Sequence, residues 1–240
     1  MNDRDFLDCL KDSFVKFLET HSRSNEKLKI LHGAVAADLA ERLGQDYTVQ
    51  SLGFGNSKEG KISGRYFDKN VDIAVFRNNL RVAGIAVKFV MQNYVQNANN
   101  YFENMLGETA NIRSCGIPYF QILIIPSRLP YYKASGEFSK WEHISANHLK
   151  KYRELSEDDC TTQANVPDKM LLYVVDLPII DKLENKNDYR DKYLKLKNSV
   201  NLHFTETSRN ETFGSGVIYN DYDTFMQKIT DMIKENQGSI

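Results

Sequence analysis

RYFDKNVDIAVFRNNLRVAGIAVKFVMQNYVQNANNYFENMLGETANI, residues 65–112, is the stretch on which the fold turns. It reads as strand, turn, strand, helix. VDIAVF (71–76) is the first strand, Arg77-Asn78-Asn79 the turn, 82–90 the second strand, and 97–112 the helix. Side chains alternate across a strand. Alternation groups Val71, Ile73 and Val75 on one face of the first strand and turns Asp72 to the other. On the second strand it groups Ile85, Val87 and Phe89 on one face, with Gly84, Ala86 and Lys88 on the opposite one. An acid and a lysine therefore project from adjacent strands of an otherwise apolar sheet.

That layout suits a metal-dependent phosphodiesterase. Carboxylate oxygen holds hard cations such as Mg²⁺, and a lysine orients or activates an attacking water and offsets phosphate charge. A second carboxylate is missing two residues before the lysine, where the chain has Ala86. Asp72, then Ala86-Val87-Lys88 on the next strand, then a helix, resembles the PD-(D/E)XK nuclease superfamily, which includes most type II restriction enzymes. That family carries an acid at the start of one strand and an acid–any–lysine triplet on the next. The resemblance covers roughly residues 50–126. It departs at Val71, where the family has its loosely kept Pro, and at Ala86.

The resemblance implies an α/β fold, a mixed central β-sheet flanked by helices as in restriction endonucleases. It implies Asp72, position 86 and Lys88 as the catalytic set, with Mg²⁺ held by Asp72, an acid at 86 and the backbone carbonyl of Val87. Some members place an auxiliary acid on a helix before the sheet or relocate a carboxylate. Glu26 is the first kind of candidate here, and Glu103 or Glu108 the second. Three readings of Ala86 are open. The site was never acidic and Asp72 and Lys88 are edge charges, the lysine snorkelling; or the nuclease is degenerate and only binds; or alanine replaces the acid and traps uncut DNA. The third accounts for a single failing position in a coherent set.

The implied activity is a Mg²⁺-dependent endonuclease of restriction type acting on double-stranded DNA, inactivated by Ala86. The alternatives are a degenerate nuclease-fold module that binds DNA or protein, and a less specific nuclease effector of phage defence. Restriction-type enzymes usually act as homodimers, which present two sites to two strands.

The rest of the chain fits a single domain. At 240 residues it is long enough for a sizeable core. The helical region spans 5–43, the catalytic core about 46–126, and further elements 138–236. Its 41% apolar and 26% charged residues are ordinary for a globular protein. The net charge of −1 requires any DNA-facing surface to be made by local segregation. Three scattered cysteines point to reduced thiols in a cytoplasmic setting, with no zinc spacing. The acidic, polar start is not a signal peptide, and no apolar run approaches the ~20 residues of a membrane helix.

Residues 5–20 carry Phe6, Leu7, Leu10, Phe14, Phe17 and Leu18 at helical spacing, a stripe for the core or for a dimer face. A polar break at 21–25 precedes a helix over 25–43 that Ser24 could cap, with Leu28, Leu31, Val35, Leu39 and Leu43 inward and Gly44 ending it. His32 on this helix reads as packed or solvent-facing. Residues 47–54 read as a strand, and GNSKEGKISG (55–64) as a loop offering Lys58, Lys61 and Arg65 to phosphates. Gln92, Asn93 and Gln96 begin an amide-rich run suited to adenine edges or phosphates. PYFQILIIP (118–126) is a strand buried on both faces, 127–136 a loop, 145–152 a short helix, and MLLYVVDL (170–177) another buried strand. The basic, tyrosine-interleaved segment 181–197 is compatible with DNA backbone binding or with a solvated helix. A late hairpin within 199–218 and a closing helix over 222–236 complete the chain.

Overall fold

The computed structural model describes residues 1–20, 24–180, 182–199 and 201–236. Three features read from the sequence fall partly outside them: residues 21–23 of the polar break, Asp181 at the start of the basic segment, and Val200 in the stretch read as a late hairpin. The fold is α/β, a mixed central sheet flanked by helices. In chain order its described elements are α1 (Asp3–Glu19), α2 (Glu26–Leu43), β1 (Tyr47–Ser51), β2 (Gly60–Ile62), β3 (Lys69–Val71), β4 (Ile73–Arg77), β5 (Leu80–Phe89), α3 (Tyr94–Arg113) and β6 (Tyr119–Pro126). There follow β7 (Arg128–Tyr132), β8 (Phe138–His143), α4 (Ala146–Glu157), β9 (Lys169–Asp176), α5 (Lys186–Asn198), β10 (Thr205–Glu206), β11 (Val217–Tyr219) and α6 (Tyr222–Glu235).

The main sheet runs β1-β4-β5-β6-β9, with both β10 and β11 against the far side of β9. β4 runs antiparallel to both of its neighbours, β1 and β5, and β5, β6 and β9 are parallel. Parallel neighbours require a crossover; α3 provides the first and α4 belongs to the second. Every residue of β6 is buried, as a central strand covered on both faces demands. One sheet face, with Ile73, Val75, Ile85, Val87 and Ile122, packs against α1, α2, α5 and α6. The other, with Leu123, Ile125 and Leu172, packs against α3 and α4.

The central hairpin turns through Asn78 and Asn79 at φ 51° and 63°, the paired positive φ of a two-residue loop that matches strand twist. The strand expected over 71–76 is in fact broken at Asp72. Val71 packs with Ile62, Ala74 and Tyr119, while Ile73 and Val75 face the large core, so Val71 does not share their face. A bend at Asp72 lets β3 leave the sheet and pair with β2. α3 starts three residues earlier than the expected 97, which places Gln96 in the helix rather than in a loop.

Three other expectations change. Residues 127–136 are not a free loop: β7 pairs with β8, and Phe138 and Trp141 pack onto the large core. Among the described residues of 199–218 there is no hairpin, because β10 and β11 each pair with β9 and not with each other. The α1 stripe is covered by the chain itself: Phe6 stacks on Tyr222 at 4.1 Å, and Phe14 meets Tyr193 and Phe204. Phe6, Leu10, Phe14 and Leu18 of the stripe are core, with Leu7 and Phe17 partly buried against it. Among the described residues no helix is long and apolar enough to cross a membrane.

Candidate functional site

Asp72 sits where the β4–β5 ladder ends. The last paired residues are Ile73 and Ile85; Asp72 follows at the bend and lines one cleft with Ala86. There the carboxylate replaces a backbone carbonyl: Oδ2 accepts the Val87 N–H at 2.8 Å. The Asp72 carbonyl in turn accepts the Ser51 hydroxyl at 2.7 Å, which ties the bend to the buried end of β1. The acid is thus fixed from both ends, with its carboxylate between positions 86 and 88.

A cleft of about 350 Å³ opens over this point, lined among others by Asp72, Ala86, Lys88, Tyr101, Glu108 and Gln121. A second hollow of about 330 Å³ shares Asp72, Lys88 and Tyr101, and adds Lys27, His32 and Gln92. Asp72 and Lys88 therefore face one space, Lys88 from β5 and Asp72 from the bend between β3 and β4. The Lys88 ammonium lies 5.4 Å from the centre of the Tyr101 ring.

His32 belongs to this site, and sequence reading missed it. It is 1% exposed, neither ring nitrogen has a hydrogen-bond partner, and Nδ1 stands 3.7 Å from Asp72 Oδ1. Burial lowers the imidazole pKa below its ordinary value, against the opposing pull of Asp72 and the Val87 backbone. Burial raises the Asp72 carboxyl, and Glu108 adds to that, while His32, the Val87 N–H and Lys88 oppose it. The missed signal was positional: His32 lies four residues after Leu28 and three before Val35, on the apolar stripe of α2.

The donors present do not make a Mg²⁺ site. Mg²⁺ asks for near-octahedral oxygen ligation, and the cleft lining brings the carboxylates of Asp72 and Glu108, with the His32 imidazole in the adjoining hollow. Among the described residues no group of three or more His, Cys, Asp or Glu side chains could hold a metal. Glu108 is near but engaged: it pairs with Lys69 at 2.7 Å and accepts a hydrogen bond from the Tyr119 hydroxyl. Ala86, in the same lining, brings no carboxylate.

The other expected residues divide. Glu26 is exposed and paired with Lys29 at 2.7 Å, so α2 delivers His32 to Asp72 and not its acid. Glu103 is exposed and outside the lining of the cleft; Glu108, a turn later on α3, lines it. Gln92 lines the second hollow and a third of about 250 Å³ that reaches Lys186 and Arg190 at the start of α5. Asn93 is exposed at φ 55° before α3, and Gln96 bonds Glu142. Lys58, Lys61 and Arg65 are exposed on the β1–β3 connection. Tyr189 and Tyr193 are buried among aromatic neighbours, so the tyrosines of α5 are core and offer nothing to a nucleic acid. No family model, no curated protein and no solved structure matches this chain.

Proposed function

We propose that this chain is a nuclease-type protein of the PD-(D/E)XK kind that holds a DNA backbone at the Asp72–Lys88 cleft and is silent as it stands. The observation that carries this reading is the placement of Asp72. Its carboxylate binds the N–H between positions 86 and 88, with Lys88 on the same cleft. Such a constellation serves phosphodiester hydrolysis once a second acid stands at 86. Mg²⁺ held by Asp72, that acid and the Val87 carbonyl would polarise the phosphate and acidify a bound water. Lys88 would then offset charge on the phosphate and orient the water.

As the chain stands, no step runs through a metal, because the donor set is one carboxylate short. The lysines at the cleft still favour phosphate, so the reading is binding of double-stranded DNA without cutting. On this reading the natural role is restriction or phage defence, in a homodimer if both strands are cut. A second reading, a degenerate binding module, is favoured by the engagement of Glu108 with Lys69 and Tyr119.

Plasmid cleavage separates the two. The parent chain should bind duplex DNA and leave it intact. Ala86→Glu should cut in Mg²⁺, and Lys88→Ala in that background should abolish cutting while binding changes little, since a transition-state contact acts on turnover. An Ala86→Glu protein that binds but never cuts would leave the binding module, and a parent that cuts strongly would move the catalytic carboxylates elsewhere.

A further inference from the structure

The loop between β2 and β3 presents the largest exposed aromatic surface of the described residues. Tyr66 is 77% exposed and Phe67 62%. Adjacent aromatics this open are unusual on a folded surface unless something covers them in use. The loop is nevertheless held firmly. Asn111 of α3, itself 3% exposed, accepts the Tyr66 N–H on Oδ1 at 3.0 Å and donates from Nδ2 to the Phe67 carbonyl at 2.9 Å. Its backbone carbonyl takes the Arg65 N–H at 2.8 Å. Gly64 permits this approach, because a Cβ there would lie 2.1 Å from Asn111 Nδ2 and 2.5 Å from the Phe67 carbonyl oxygen. A buried amide and an obligatory glycine thus fix a backbone whose two large side chains touch little of the protein.

The surroundings of the aromatics are basic although the chain is not. Residues 58–69 carry Lys58, Lys61, Arg65 and Lys69 against Glu59 and Asp68, in a protein of net charge −1; Lys61 pairs with Asp68 at 3.2 Å and Lys69 with Glu108 at 2.7 Å. The Arg65 guanidinium sits 5.8 Å from the centre of the Tyr66 ring. The loop also runs straight into the cleft: Lys69 and Asn70 line it, and Asn111 follows Glu108 by one helical turn on α3. Aromatic faces interleaved with cations are what bind unpaired bases and their phosphates.

We propose that Tyr66 and Phe67 form a stacking platform for unpaired bases of a nucleic-acid strand whose backbone continues past Lys69 into the Asp72–Lys88 cleft. The preferred ligand is then DNA with a single-stranded segment beside the duplex, not an uninterrupted duplex. This rests on the nucleic-acid reading above and narrows its ligand. Base–aromatic stacking is sequence-tolerant, so the platform reads strandedness and not sequence.

The test is fluorescence anisotropy of the full chain with labelled blunt duplex, the same duplex carrying a single-stranded overhang, and the single strand. The parent should prefer the two ligands that contain unpaired bases. Tyr66→Ala with Phe67→Ala, both surface changes, should weaken those two by on the order of 10- to 100-fold and leave blunt duplex unchanged. Tyr66→Phe with Phe67→Tyr should restore them, because either ring stacks. If the parent binds DNA but the double alanine variant binds overhangs equally well, this inference falls and the cleft reading stands. If the parent binds no nucleic acid of any form at low salt, both fall. A dimer in sedimentation that the double variant dissolves would assign the aromatics to a second copy of the chain and overturn the platform.

Discussion

Ala86→Glu can be read without any substrate, through stability. Asp72 lies one residue past the last paired step, Ile73 with Ile85, and lines one cleft with Ala86; side chains facing each other across antiparallel strands have Cβ atoms about 5 Å apart, the spacing taken for residues 72 and 86. Two carboxylates at that spacing repel by about 3 kcal/mol at an effective dielectric constant near 20. The Asp72 side chain keeps 29% of its surface open, so solvent screening reduces this to roughly 1–2 kcal/mol. Without divalent metal the variant should therefore melt about 2–8 °C below the parent, at 2–4 °C per kcal/mol for a chain of this size. A cation that binds only the folded state reverses the loss. At a hundred times its Kd it adds about 2.7 kcal/mol, or roughly 5–11 °C. Calorimetry in EDTA and in saturating Mg²⁺ measures both quantities. The parent should move little between the two conditions, and Asp72→Asn in the variant should remove the shift. A variant insensitive to Mg²⁺, or a parent stabilised equally, would refute the claim that position 86 completes a metal site with Asp72.

Two further outcomes follow from single side chains. His32 is held below its ordinary pKa of 6.5 by burial, so its native ring stays neutral while the unfolded chain protonates. Its contribution is fully present above pH 6.5 and lost as pH falls towards the folded pKa; His32→Gln should flatten the acid-side decline in melting temperature, and an unchanged profile would count against this placement of the ring. Arg113 holds Asp168 with Nε at 2.7 Å and Nη2 at 3.1 Å, and its Nη groups donate to the carbonyls of Cys160, Gln163 and Val166. Arg113→Ala strands Asp168 and those acceptors, and should cost about 3–5 kcal/mol in urea unfolding; a loss under 1 kcal/mol would show that water replaces the guanidinium freely.

Elements whose burial is periodic were legible in the chain. The all-apolar run of β6, the helical stripe of α1 with Phe6, Leu10 and Phe14, and the paired asparagines between β4 and β5 each carry their structure in local sequence, because side-chain spacing alone dictates which face meets the core. The same alternation placed Ala86 and Lys88 on one face of β5. What failed were features that depend on a distant partner. Nothing local distinguishes the β7–β8 hairpin from a loop, since it takes its packing from α5. The break at Asp72 comes from β3 turning to pair with β2. β10 and β11 are too short to announce that each joins β9. At the site, Lys88 was legible from the alternation of β5, and Asp72 from its place before the apolar run of β4. Only the tertiary structure chose His32 over Glu26 on α2 and Glu108 over Glu103 on α3, because the rotation of each helix against the sheet decides which side chain faces the cleft, and that rotation is set by the packing of the opposite faces.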